Sequence, residues 1–392
     1  MAPELANNDD AAKIREAEKD KLCPPNRNPQ QPAIVVATGD SITSAHIQLN
    51  HYHVPRKCAE KQNTASDHRN LPGNDMVRSY VGKYVNTINR EVVDYYNFAR
   101  TDMATGHILT ATPDFQDGCE NEWKRAFPPI QMAEAVIAKG KRDGRRVLSV
   151  TTGGINNTNW SQVAAGVATC GMVELIRRIA AADFARRNTP FNALVRYYDT
   201  KGKRIERPDL IKGGSCQLVV QEEITGDKPR DITVERLRFV VPAFNGPDHL
   251  AQITRDVNTI TTRLVAAGAD KVVWMGYYDL TPAKIRLGTF ASQYIQNTEL
   301  PKLVKGALPD IPNVEAELVP FDDWKTQVKA WTADLNRAIK ASILPNDPIV
   351  RFQPAPVLDA DKIQRTLIGG CPHPNDPGHE ALARALDTAI KA

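Results

Sequence analysis

Three short segments of the chain hold side chains suited to acyl-transfer chemistry. In Thr38-Gly39-Asp40-Ser41-Ile42-Thr43-Ser44, a serine follows an apolar run and opens a helical stretch. A sharp turn there exposes the Ser41 hydroxyl, and helix N-terminal amides beside it favour developing negative charge. In Thr151-Thr152-Gly153-Gly154-Ile155-Asn156-Asn157, paired glycines let the backbone turn tightly, and the Asn156 amide that follows could donate to an oxyanion. In Gly370-Cys371-Pro372-His373-Pro374-Asn375, two prolines flank His373 and fix its ring, as a general base requires. Each segment also has a plainer reading. Gly-Asp-Ser is a good helix N-cap, Gly-Gly-Ile-Asn-Asn an ordinary strand-ending loop, and a lone histidine is usually structural. His379 reads as local packing in the first turn of the last helix.

What must position these residues is an alternation of strands and helices. AIVVAT from Ala33 is apolar on both faces and bounded by Pro32 and Gly39, the mark of a buried parallel strand. Four further runs share that character: Glu91 to Ala99, Arg146 to Thr152, Lys271 to Tyr278 and Ile349 to Ala355. Helical patterns lie between them over Asn74–Asn89, Pro129–Lys139, His249–Ala267 and Thr326–Ser342, and Gly378–Lys391 closes the chain. This alternation predicts a doubly wound, mostly parallel sheet with its site at the carboxyl ends of the strands. Ser41, Asn156 and His373 all follow strands, so all three fall at that edge. A long helix over Trp160–Arg187 precedes residues 190–245, where charged, Gly-rich turns separate strand-like pieces (CQLVVQEE, RLRFVVPAF); this reads as a β-rich insertion. Residues 1–32 read as a polar extension ending in a Pro-rich connector. The serine and histidine that must meet bracket nearly all the rest, so 33–392 is expected to be one domain.

Composition narrows the functional classes. Fifty basic residues against 46 acidic leave a formal +4, with no long basic run, which argues against a nucleic-acid binder. No apolar stretch approaches the about 18 residues of a spanning helix. Six scattered cysteines (Cys23, Cys58, Cys119, Cys170, Cys216, Cys371) show no CxxC spacing. They fit either buried thiols or disulfides of an exported protein. His51, His53 and Cys58 read as a polar loop rather than a metal site; Trp274, Tyr277 and Tyr278 read as core at a strand end.

The three segments in this order resemble the SGNH hydrolases, also called the GDSL esterase/lipase family. The resemblance rests on Gly39-Asp40-Ser41, Gly154-Ile155-Asn156-Asn157 and His373-Pro374-Asn375 with Gly378-His379, and spans 33–392 apart from the insertion. It implies a three-layer αβα, flavodoxin-like fold and hydrolysis of carboxylic esters through an acyl-enzyme. Ser41 would be the nucleophile and His373 the general base, with Asn156 and the Ser41 backbone N–H as oxyanion donors. No cofactor or metal is implied, and the partner would be a small-molecule ester or lipid bound by a monomer. A carbohydrate O-acetylesterase, an acyltransferase, or a catalytically silent binding member would use the same residues.

Two positions depart from the family pattern. Gly370 stands where an aspartate usually orients the histidine, so a dyad is expected, with Asp359, Asp361 and Asp376 the nearby acids. Asp102 aligns with the glycine whose N–H completes the oxyanion hole, with Gly106 as the alternative. The resemblance to secreted, cysteine-rich members further implies a secreted or periplasmic protein, a Cys170–Cys216 disulfide clipping the insertion, and a brace at Cys371.

Overall fold

The computed structural model describes residues 34–44, 79–89, 92, 94–99, 103–110, 128–186, 191–224, 231–286, 315–343, 347–363 and 373–392. In chain order, β1 (Ile34–Thr38) leads to the short α1 (Ser41–Ser44), and α2 (Tyr80–Lys83) runs on through a π-helical turn to Ile88. β2 (Asp94–Asn97), α3 (Thr105–Leu109), α4 (Pro129–Arg142), β3 (Val147–Thr151) and the 27-residue α5 (Trp160–Arg186) follow. The insertion supplies β4 (Phe191–Tyr198), β5 (Arg204–Ile205), β6 (Gly214–Ile224) and β7 (Asp231–Val241). The chain continues through α6 (Gly246–Ala266), β8 (Lys271–Met275), β9 (Lys284–Arg286), β10 (Glu315–Glu317), α7 (Asp322–Ser342), β11 (Val350–Gln353) and α8 (Asp376–Lys391).

Five strands form the expected sheet, all parallel, in the spatial order β11-β8-β3-β1-β2. Counted along the chain these are strands 5-4-3-1-2, so the winding direction reverses at the β1/β3 junction. Right-handed crossovers then require the α2 connection on one face and the α4, α6 and α7 connections on the other. The packing agrees: α2 meets α8, while α6 meets both α4 and α7. β1 and β3 are buried along their whole length, which explains their lack of apolar/polar alternation.

The insertion is a separate antiparallel sheet, order β5-β4-β6-β7, lying against α5. Cys170 of α5 and Cys216 of β6 are joined by a disulfide, Cα–Cα 5.7 Å, as the resemblance implied. Its near end is held to α7, where Trp324 Nε1 donates to Pro208 O at 2.7 Å and Gln327 Oε1 accepts from Leu210 N at 2.9 Å.

Element ends differ from the sequence expectation where polar residues outside the periodic pattern open the helix. α7 begins at Asp322 rather than Thr326, with Asp322 and Asp323 in its first turn where the helix dipole favours carboxylates. α8 begins at Asp376, capped by Asn375, whose Oδ1 accepts from Gly378 N at 3.1 Å. Among the described residues no helix is long and apolar enough to cross a membrane.

Candidate active site

The β1/β3 junction is where a doubly wound sheet opens its crevice, and Ser41 lies directly beyond it. Gly39 makes this turn with φ of 134°, and a Cβ there would stand 2.4 Å from the Thr152 carbonyl oxygen. Only glycine satisfies both the backbone angle and the approach of the two strand ends. Ser41 follows, buried, with Oγ 2.7 Å from Nε2 of His373, across 332 positions of sequence. The two residues expected to act together are therefore in hydrogen-bond contact.

His373 is carried by a loop clamped to the segment before it. Pro374 bridges Ile363 in antiparallel fashion, and Asn375 N donates to Lys362 O at 3.0 Å. Gly378 comes so close to that segment that an added Cβ would meet Lys362 O at 2.2 Å. The nearby acids are directed elsewhere: Asp359 is exposed and pairs with Lys362, and exposed Asp376 pairs with Lys83, each at 2.8 Å. Asp361 is also exposed. Gly370 and Cys371 lie outside the described residues.

Beneath the serine, Asp40 is fully buried and its carboxylate gathers three donors. Ile42 N (3.0 Å) and Thr152 Oγ1 (2.9 Å) reach Oδ1, and the Tyr277 hydroxyl reaches Oδ2 at 2.6 Å. Burial raises the Asp40 carboxyl above the usual carboxylate range, opposed by these hydrogen bonds. Since Thr152 gives its only hydroxyl proton to Asp40, Thr43 must donate across the 2.6 Å contact to Thr152. The Tyr80 hydroxyl, 3.2 Å from Thr43, then donates to Thr43. The turn holding Ser41 is thus fixed by a buried chain of hydroxyls ending on one carboxylate.

Asn156 sits in the short 3-10 turn after β3, half-buried, with Nδ2 3.4 Å from Met103 O. That contact turns one amide hydrogen towards the segment after β2. Asn157 holds the same segment: its Oδ1 accepts from Thr105 N at 2.9 Å and its Nδ2 donates to Thr105 Oγ1 at 2.9 Å. Thr105 Oγ1 in turn donates to Asp256 of α6 at 2.7 Å. Asp102 lies outside the described residues. Gly106 is the second residue of α3, where an added Cβ would face Gln252 and Asp256 of α6.

His379 is not part of the pair. It is 1% exposed in the first turn of α8, and its Nδ1 has no hydrogen-bond partner among the described residues. Burial, with smaller contributions from His373 and Lys83, lowers its pKa to about 3, so the ring is neutral.

Sequence reasoning passed over Asp40 and Tyr277 as polar participants. Tyr277 reads as core, and it is 4% exposed; nothing in KVVWMGYY announces that its hydroxyl crosses to another strand end. The Gly-Asp-Ser spacing does hint at Asp40, because an aspartate beside a strained glycine readily accepts a nearby backbone N–H. Trp274 is buried as expected. Cys23, Cys58, Cys119, His51 and His53 lie outside the described residues. Among the described residues no group of three or more His, Cys, Asp or Glu side chains is arranged to hold a metal ion. No protein-family model, curated protein or solved structure matched the chain.

Proposed function

We propose that this protein is a serine ester hydrolase of the SGNH type, with a flavodoxin-like core and an acyl-enzyme formed on Ser41. The observation that carries this reading is the 2.7 Å contact between Ser41 Oγ and His373 Nε2 at the winding reversal of a parallel sheet. A buried serine–imidazole pair at that distance is the arrangement general-base activation needs.

The steps follow from the residues. Neutral His373, protonated on Nδ1, accepts the Ser41 hydroxyl proton at Nε2 as Oγ bonds to the ester carbonyl carbon. Negative charge develops on the carbonyl oxygen and is met by the Asn156 amide and the Ser41 backbone N–H. The alcohol departs with the proton from His373. A water molecule then gives its proton to His373 and attacks the acyl carbon, releasing the acid and restoring Ser41. Asp359 and Asp376 are each exposed and paired with a lysine, and the bonds at Lys362–Ile363 hold the loop that carries His373. The Cys170–Cys216 disulfide supports an exported protein, and an uncharged ester or lipid is the substrate class proposed.

The test is hydrolysis of a p-nitrophenyl ester series. Wild type is expected to turn over, and Ser41→Ala and His373→Ala to reduce turnover to the background rate. Undiminished activity in Ser41→Ala would end the assignment.

A further inference from the structure

Ser41 and Asn156 stand on different strand ends, and catalysis requires their donors to converge on one oxyanion. One side chain spans the gap. The Tyr277 hydroxyl donates to Asp40 Oδ2 at 2.6 Å and accepts from Ile155 N at 3.1 Å. Asp40 precedes Ser41, and Ile155 precedes Asn156. A single oxygen therefore ties the residue before the nucleophile to the residue before the oxyanion donor. Tyr277 is itself fixed by α7: Asn336 Oδ1 accepts from Tyr277 N and Asn336 Nδ2 donates to Tyr277 O, both at 2.8 Å. The tie is thus anchored from behind.

We infer that Tyr277 is a positioning residue for ester hydrolysis, holding the Ile155–Asn156 turn in register with Ser41 through its hydroxyl. The inference rests on the esterase reading. At 2.6 Å the bond to Asp40 is at the short end for two oxygens. The bond to Ile155 N occupies a backbone donor that would otherwise be stranded in a buried turn. Thr152, the other hydroxyl on Asp40, reaches the same carboxylate from the end of β3. It fixes the strand end, while Tyr277 fixes the turn beyond it, where Gly153 and Gly154 leave the backbone free to rotate. Oxyanion stabilisation is steep in distance, and displacement of a catalytic donor by about 1 Å costs on the order of 100-fold.

The test is Tyr277→Phe, which keeps the ring and removes the bridge. Expected is a fall in kcat of about 10- to 100-fold on a p-nitrophenyl ester with KM changed less than about 3-fold. The discriminating measurement is a double-mutant cycle with Asn156→Ala. If Tyr277 acts by placing Asn156, its replacement in the Asn156→Ala background costs less than about 3-fold. A full additional loss there would mean Tyr277 is merely structural, and unchanged kcat in the single variant would also overturn the inference. An inactive wild type that fails to react with a fluorophosphonate would instead refute the esterase reading. If Tyr277→Phe does not fold, amide exchange of Ile155 in the wild type decides: protection like that of β3 is expected, and free exchange would overturn the bridge.

Discussion

His379 gives a prediction whose size follows from its surroundings. The ring is enclosed at the start of α8, and burial, His373 and Lys83 lower its pKa from 6.5 to about 3. In the unfolded chain it titrates at its ordinary value. Between those values the unfolded chain binds the extra proton, so stability is complete above about pH 6.5 and falls steadily as pH drops towards 3. At pH 5 the loss relative to pH 8 amounts to about 2 kcal/mol. His379→Leu removes this dependence. Whatever the leucine changes in packing is the same at both pH values. Urea unfolding of both proteins at pH 8 and pH 5 is therefore expected to show the variant gaining about 2 kcal/mol over wild type on acidification, and taking the difference cancels titration of Asp40 and the surface carboxylates. Ester hydrolysis by His379→Leu is expected to remain near wild type, since it is His373 that touches Ser41. Parallel stability curves for the two proteins would refute the buried neutral imidazole.

Two further outcomes follow. Asn156→Ala is expected to lower kcat about 100-fold with KM little changed, the usual cost of one oxyanion donor, read from steady-state kinetics on a p-nitrophenyl ester. Opening the Cys170–Cys216 link, which closes a loop with a sequence separation of 46, is expected to destabilise the protein by about 4 kcal/mol on the chain-entropy account. Thermal unfolding of Cys170→Ala/Cys216→Ala against wild type checks it.

The sheet was legible because its strands are buried on both faces. AIVVAT and RVLSVTT lack alternation for that reason, and β1 and β3 are indeed buried throughout. Ser41 and His373 were legible because backbone constraints mark them: Gly39 takes a φ that excludes other residues, and prolines bracket the histidine. α3 was not foreseen, since five residues are too few to express a helical period. The π-helical turn after α2 reads as ordinary helix, because a single turn is too short to express a period of its own. β9 and β10 pair over only three residues each and carry no strand pattern. Tyr277 was hidden most completely. Its burial is written in the sequence, but its hydroxyl's partners, Asp40 and the Ile155 amide, come from strand ends 237 and 122 positions away.

Activation of Ser41 as a nucleophile by His373 is open to covalent labelling. The protein is treated with a fluorophosphonate, its intact mass measured and the modified peptide sequenced. One adduct on Ser41, lost in both Ser41→Ala and His373→Ala, is predicted. No adduct, an adduct on another serine, or undiminished labelling in His373→Ala would mean that Ser41 is not a nucleophile activated by His373.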